Sequence, residues 1–194
     1  MKGCGILDKF IVQQLEKISL SMFRKAFFGI FHGSISARVE HNKFIINKRE
    51  AIFDEMNEDS LIELYFNKDY RWNEASIDSE IHLNIYQNIH EAKYIAYGMP
   101  PFTMAYSLNH NKIIPKDYFG YKKFGNLKIY DPKHFEDWYE RAPIDIVRYF
   151  KEQKSQVIIV RGYGVYVYDR DIHQLAKKMA IIEHSCRLLQ LSRF

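Results

Sequence analysis

The C-terminal part of the chain limits its possible folds more than any other part. Val157–Val160 is a short apolar run that leads into the turn Arg161–Gly164, and a second strand-like run ends at Asp169. Asp171 then precedes a long stretch whose apolar residues recur every three or four positions, as in an amphipathic helix. Its apolar face is Ile172, Leu175, Met179, Ile182, Cys186 and Leu189. The segment therefore predicts a β-hairpin followed by a helix that Asp171 caps, with Gln174 at the spacing of a capping box.

Length and composition favour one compact domain. With 194 residues, 47% of them hydrophobic, the chain suits a single core, and we expect one domain over residues 1–194. Cys4 and Cys186 do not form a disulfide framework, and Cys186 is expected to be a buried thiol. Asp8 and Lys9 interrupt the apolar residues near the start, which excludes an ordinary signal peptide. We therefore expect a cytoplasmic protein.

The charge pattern gives no sign of a nucleic-acid or membrane partner. The net charge is +4, the sequence pI is near 8.9, and the basic residues are scattered along the chain. No apolar stretch approaches a membrane-spanning length. Gly162 and Gly164 are not a dinucleotide-binding motif, because a third glycine is absent and a strand pattern, not a helix, follows them.

The other patterns along the chain predict alternating helices and strands. The predicted elements are a helix over 6–27, strands Ile35–Glu40, Lys43–Asn47 and Leu61–Phe66, a helix opened by Asp78, a strand Tyr94–Met99, a helix from Pro100, an irregular region Asn109–Trp138, a helix Ile144–Lys151 and the terminal hairpin and helix. Because tight turns join several strands, we predict an α/β fold with three layers, in which helices cover both faces of a mostly antiparallel sheet.

Four short motifs resemble the signatures of a known family in the same order. Gly33–Arg38 matches a Gly-Asn-x-Ser-x-Arg loop, and Asp78–Glu80 matches a Ser-Ser-Glu helix start. Tyr97–Pro101 stands where the family has His-x-His-Pro-Pro, and Arg161–Gly164 where it has a turn containing Asn-His-Gly. Over roughly residues 20–191 the chain thus resembles the class II aldolase/adducin family.

The resemblance implies a metal site whose ligands this chain lacks. In the family three histidines hold a divalent metal, and their positions are occupied here by Tyr97, Met99 and Tyr163. A phenol coordinates only after an unfavourable deprotonation, and a thioether is a soft donor that prefers Cu(I). We therefore expect no metal and no cofactor. The leading hypothesis is a non-catalytic, oligomeric binding or assembly module.

The remaining histidines do not rebuild such a site. The sequence contains no His-x-His pair, and His82 and His90, on one predicted helix, are too far apart for one ion. We expect His82 and His184 to be structural. His32, which precedes Gly33, is a candidate for contact with a phosphate.

An enzymatic alternative rests on Glu80. The resemblance places this residue at the family's acid/base position, although a glutamate in a first helical turn is also favoured by the helix dipole. The alternative function is an aldehyde-lyase, epimerase or dehydratase acting on a small sugar phosphate. Tyr163 or Tyr97 would then donate a hydrogen bond to the substrate oxygen.

The anion-binding part of the family site is also altered. Asn47–Glu50 replaces a Thr-Pro-Ser-Gly turn, and Glu50 would repel an anion. A small acidic ligand remains possible at a set of candidate residues, and Arg38 is also expected to pair with a neighbour on its own strand. The anion-binding candidates are His32, Gly33, Ser34, Ser79 and Arg38. The resemblance further implies a homotetramer with clefts between subunits.

Overall fold

The computed structural model describes residues 8–30 and 32–192; Cys4 and the first residues of the predicted helix 6–27 lie outside this part. The helices are α1 Lys9–Arg24, α2 Ser79–Asn88, α3 Pro101–Asn109, α4 Tyr118–Phe124, α5 Trp138–Gln153 and α6 Ile172–Leu191. The strands are β1 Ser34–Glu40, β2 Lys43–Asn47, β3 Leu61–Tyr65, β4 Tyr94–Gly98, β5 Lys112–Ile113, β6 Leu127–Tyr130, β7 Val157–Val160 and β8 Gly164–Asp169.

The eight strands form one sheet in the order β3-β2-β1-β4-β8-β7-β6-β5. Every neighbouring pair is antiparallel except β6 and β7, which run parallel. Side chains of α1 and α6 fill the core on one face, and those of α2 and α5 fill the core on the other. The predicted three-layer α/β/α arrangement with a mostly antiparallel sheet is therefore confirmed.

The terminal helix α6 forms as its sequence pattern predicts. The Asp171 carboxylate accepts hydrogen bonds from the backbone N–H groups of His173 (2.7 Å) and Gln174 (3.0 Å), which satisfies two donors of the first turn. All six predicted apolar positions of the helix are buried, and Cys186 is the buried thiol that we expected. Burial raises the pKa of this thiol to about 12, so it stays protonated.

Helix α6 also fixes the start of α3. The Glu183 carboxylate accepts hydrogen bonds from the backbone N–H groups of Phe102 (2.9 Å) and Thr103 (2.8 Å), and from the Thr103 hydroxyl (2.8 Å). A carboxylate at this position complements the positive end of the helix dipole. Pro100, the N-cap of α3, and Pro101, its first residue, are thereby held at a defined place beside the end of β4.

The predicted helix Ile144–Lys151 is only the second half of α5, which begins at Trp138. Pro143 interrupts the apolar pattern of the sequence, and a proline inside a helix removes one backbone hydrogen bond. The helix nevertheless extends to Trp138, because this side chain is 1% exposed and anchors the first turn in the core. Tertiary burial here outweighs the local preference of the chain.

The region Asn109–Trp138, predicted to be irregular, contains β5, α4 and β6. Asp117 caps α4 by accepting from the backbone N–H of Gly120 at 2.8 Å, and Gly125 ends the helix with φ +59°. These elements are too short to give a clear period in the sequence. Within the described residues no helix has both the length and the apolar character needed to cross a bilayer.

Candidate functional site

The fold brings the four sequence motifs to one place. The sheet register sets Ser34 of β1 opposite Tyr97 of β4, and Tyr97 opposite Tyr166 of β8. The turn that carries Tyr163 directly precedes β8, and Asp78 at the start of α2 is hydrogen-bonded to Tyr166. The candidate site is therefore the end of the sheet where β1 begins and β4 ends.

A cluster of four tyrosines, Tyr97, Tyr139, Tyr163 and Tyr166, occupies this place; we call it the tyrosine cluster. The ring centroid of Tyr97 lies 4.7 Å from that of Tyr166 and 5.1 Å from that of Tyr163. The Tyr97 hydroxyl donates to the Tyr163 carbonyl oxygen at 3.0 Å, and the hydroxyls of Tyr163 and Tyr139 are 2.8 Å apart. Tyr97 and Tyr163, which the sequence resemblance assigns to ligand positions, thus form hydrogen bonds with each other and with Tyr139.

The phenols of the cluster are held in the protonated state. Burial raises the pKa values of Tyr97, Tyr163 and Tyr166 above the usual value for tyrosine, because a buried phenolate loses its hydration. The nearby Asp78 carboxyl raises them further. Coordination of a metal by any of these residues would require a deprotonation that their surroundings oppose.

Met99, which the sequence resemblance assigns to the third ligand position, is exposed at the surface. Its side chain is 38% exposed, and its backbone N–H donates to the Phe27 carbonyl oxygen at 2.7 Å. The thioether is a neutral, soft donor with little affinity for zinc or magnesium. The three positions together therefore offer no donor set that fits the divalent metal of the family.

Asp78, which replaces a serine of the family motif with a carboxyl, was not among the candidate site residues but is buried beside the tyrosine cluster. It is 2% exposed, and Tyr166 donates a hydrogen bond to its Oδ1 at 2.9 Å. Burial raises its pKa to about 6, although hydrogen bonds from Ser34 and Tyr166 act in the opposite direction. The sequence indicated this residue only as an acid just before a predicted helix, at a position where the resemblance implies a serine.

His82 is at the centre of a buried polar network, on the face of the sheet that α2 covers. One of its ring nitrogens lies 2.9 Å from the Ser34 hydroxyl and the other lies 2.7 Å from the Ser36 hydroxyl, which in turn is 2.6 Å from the Tyr86 hydroxyl. The imidazole is completely buried, and this burial lowers its pKa to about 3. His82 is therefore a neutral structural histidine, as the sequence predicted, whereas His184 is exposed on α6.

Glu80 lies at the surface of α2. Its side chain is 56% exposed and forms an ion pair with Lys68, with 3.0 Å between Nζ and Oε1. An exposed pair of this kind contributes little to stability. Glu80 is thus close in sequence to the buried Asp78, but its carboxylate pairs with Lys68, another surface residue.

The anion-binding candidates do not form one cradle. Gly33 has a φ of +143°, and a Cβ there would lie 2.8 Å from the Phe28 ring. The Ser34 hydroxyl bonds to His82, the Ser79 hydroxyl donates to the Ser76 carbonyl oxygen at 2.6 Å, and His32 is exposed.

Arg38 contacts Tyr86 of α2 and lies far from the other anion-binding candidates. Its guanidinium lies 4.9 Å from the centre of the Tyr86 ring and donates to the Tyr86 carbonyl. The expected pairing along strand β1 is therefore wrong, because Tyr86 of α2 offers its ring for packing and its backbone carbonyl oxygen as an acceptor. At about 3.3 Å per strand residue, Arg38 is also about 13 Å along β1 from Ser34.

No alternative cation site appears in the described part of the chain. Across residues 8–30 and 32–192, no three His, Cys, Asp or Glu side chains come together in a way that could hold a metal ion.

Comparison with known structures finds this fold in sugar-phosphate aldolases. L-fuculose-1-phosphate aldolase from Thermus thermophilus matches with a TM-score of 0.83 and 17% identity, over 94% of both chains. A sugar-phosphate aldolase from Thermotoga maritima matches with a TM-score of 0.74 and 14% identity, over 96% of this chain and 97% of that one. At such identities the likeness shows the fold.

A third match is an isolated domain. The N-terminal class II aldolase domain of a conserved protein from Thermoplasma acidophilum aligns with a TM-score of 0.68 and 10% identity, over 97% of both chains. A search of curated proteins finds no match.

The family model for the class II aldolase and adducin N-terminal domain matches residues 13–190. This range contains all four motifs and every strand and helix that builds the candidate site, apart from the ends of α1 and α6. The chain is therefore a member of the class II aldolase and adducin N-terminal domain family.

Proposed function

We propose that this chain is a non-catalytic member of its family that acts as a homo-oligomeric binding or assembly module. One observation carries the proposal: the Tyr97 hydroxyl donates a hydrogen bond to the backbone oxygen of Tyr163, and the resemblance assigns both residues to ligand positions of the family. The space between two former metal ligands is thus closed by a contact within the protein.

The chemistry of the donors supports this proposal. A structural or catalytic zinc site needs neutral imidazole, thiolate or carboxylate ligands around the ion. Two protonated phenols and a half-exposed thioether supply none of these, so the residues present do not fit the metal of the family. A carbonyl substrate would find no Lewis acid built from these three side chains.

The apolar surroundings of the site support a role in packing. The Phe135 ring stacks on Tyr163 with 6.4 Å between centroids, and Phe135 is 52% exposed. Leu108 lies beside Gly162 and is 58% exposed, and Tyr139 of the cluster is 46% exposed. Exposed aromatic and aliphatic side chains around one site suit contact with a protein surface better than with a polar sugar phosphate.

Thermal unfolding with and without zinc tests the proposal. We expect the melting temperature of the purified protein to be the same after EDTA treatment and after zinc addition, because a ligand stabilises only a fold that binds it. Elemental analysis of the purified protein should show no bound metal. A zinc-dependent increase in melting temperature, or one metal ion per chain, would contradict the proposal.

A variant that restores the imidazoles provides the matched control. In the triple variant Tyr97→His/Met99→His/Tyr163→His, zinc should raise the melting temperature by several degrees, since the missing donors are then present. If neither protein responds, far-UV circular dichroism shows whether the variant is folded. The single variant Met99→His, which changes an exposed side chain, then serves as the folded comparison.

A further inference from the structure

A cleft at the end of the sheet opposite the tyrosine cluster has a strongly positive lining. It has a volume of about 320 Å³ and lies where α4 and α5 end and where β6 and β7 begin. Its lining consists of Lys123, Phe124, Asn126, Leu127, Lys128, Tyr149, Gln153, Lys154, Ser155, Gln156 and Lys178. As the described residues define it, this lining contains four lysines and no carboxylate.

Three of these lysines have no carboxylate within ion-pair distance among the described residues. Lys123, Lys128 and Lys154 are exposed, and within the described part of the chain none of them takes part in an ion pair. Lys112 of β5 lies directly opposite Lys128 of β6 in the antiparallel register. Like charges directly opposite each other in a sheet are destabilising. The protein therefore tolerates a repulsion here that a bound anion would relieve.

The fourth lysine is part of the protein framework. The Lys178 ammonium donates to Asp169, to the Gln156 side-chain oxygen and to the Tyr168 carbonyl oxygen, so all three of its protons are used. Burial lowers the pKa of Lys178, and the positive charge of Lys123 acts in the same direction. The charge of Lys123 therefore acts on Lys178, at the base of the cleft. Lys178 and Asp169 form an ion pair, so their charges cancel.

Helix dipoles explain only part of this arrangement. Lys123 is in the last turn of α4 and Lys154 caps the end of α5, where the negative end of a helix favours a cation. Lys128 and its partner Lys112 are on strands, where no such dipole acts. The dipoles therefore do not account for Lys128, which lines the same concave surface as Lys123 and Lys154.

We propose that this cleft binds a small polyanion of the phosphate type. Lysine ammonium groups bind phosphate as point charges, and the amide groups of Asn126 and Gln153 supply further donors in the lining. The volume is at the lower end of the range for small-molecule sites, which suits a phosphate-sized group with a short remainder. Strand β7 separates this cleft from Tyr163, so the proposed site is distinct from the tyrosine cluster.

Calorimetric titration with inorganic pyrophosphate tests the proposal on the full chain at about 0.15 M salt, where long-range attraction is screened. We expect one pyrophosphate bound per chain by the wild-type protein. In the variant Lys123→Gln/Lys128→Gln/Lys154→Gln we expect binding at least about a hundredfold weaker, because each lost charge-assisted hydrogen bond costs about tenfold.

The matched control removes the same charge elsewhere. Lys17, Lys116 and Lys177 are exposed and lie outside the lining of the cleft, so the triple Gln variant at these positions should keep wild-type affinity within about twofold. Absence of saturable binding by the wild-type protein would overturn the proposal. An equal loss in both triple variants would also overturn it, since binding would then depend on overall charge. Melting temperatures of the three proteins without ligand show that each is folded.

Discussion

The buried residues Asp78 and His82 make the free energy of unfolding depend on pH in opposite directions. The pKa of Asp78 is raised from 3.8 to about 6, so its native environment favours the protonated acid. The contribution of Asp78 to stability is therefore complete below pH 3.8 and is lost as the pH rises through about 6. The pKa of His82 is lowered from 6.5 to about 3, so its contribution is complete above pH 6.5 and is lost as the pH falls toward 3.

The variant Asp78→Asn should separate these two effects. Asparagine keeps an acceptor for Tyr166 but does not ionise, so the variant should gain stability relative to wild type as the pH rises from 4 to 7. A shift of about two pKa units corresponds to about 3 kcal/mol in the free energy of unfolding. Urea unfolding at several pH values measures the difference. A constant difference across this range would contradict the buried, raised pKa.

The variant Glu80→Gln distinguishes the proposed module from an enzyme. The Glu80 carboxylate is exposed and paired with Lys68, and the neighbouring phenols bond to protein atoms. We therefore expect neither the wild-type protein nor the variant to release an aldehyde from a panel of ketose phosphates. Glu91→Gln, which changes another exposed, ion-paired glutamate, is the control. Aldehyde production that is lost in Glu80→Gln and kept in Glu91→Gln would establish the enzymatic alternative.

At the scale of elements, the entry into β1 depends on a glycine. Gly33 combines a φ of +143° with close contact to the Phe28 ring, whereas Gly125 at the end of α4 has a φ of +59° and open space around it. Gly33→Ala should therefore lower the free energy of unfolding by about 2 to 4 kcal/mol, since backbone strain and overpacking add. Gly125→Ala should cost less, about 1 to 2 kcal/mol, from backbone strain alone, since a φ of +59° with a ψ of −83° is unfavourable for a residue with a Cβ. Equal losses in the two variants, measured by urea unfolding, would contradict this account.

Elements with a strong local period could be predicted from the sequence, and those set by packing could not. The strands around the His41-Asn42 turn, the terminal hairpin and α6 follow alternation or helical spacing that neighbouring residues specify. The start of α5 and the elements between 109 and 138 depend instead on distant partners. Trp138 is buried against Tyr130 and Tyr163, and Asp117 accepts a hydrogen bond from the Ser185 hydroxyl of α6.

At the scale of the whole molecule, the proposal requires assembly. Scattering measurements should give about four times the chain mass of 23.2 kDa, because the family resemblance implies a tetramer with its clefts between subunits. The exposed Phe135 provides a variant, Phe135→Lys, that should weaken association if the surface around Tyr163 is the contact. A monomeric wild-type protein would remove the assembly part of the proposal.

The family and the layer order could be read from the sequence, because motif order and hydrophobic period are local properties of the chain. The contacts and protonation states of the site residues follow from packing and could not be read from the sequence. The bond between Tyr97 and Tyr163, the raised pKa of Asp78 and the contact of Arg38 with Tyr86 all join residues from different elements. Burial and the distance to neighbouring groups determine the pKa of a side chain and the contacts that it makes. Both are set only when strands and helices pack together.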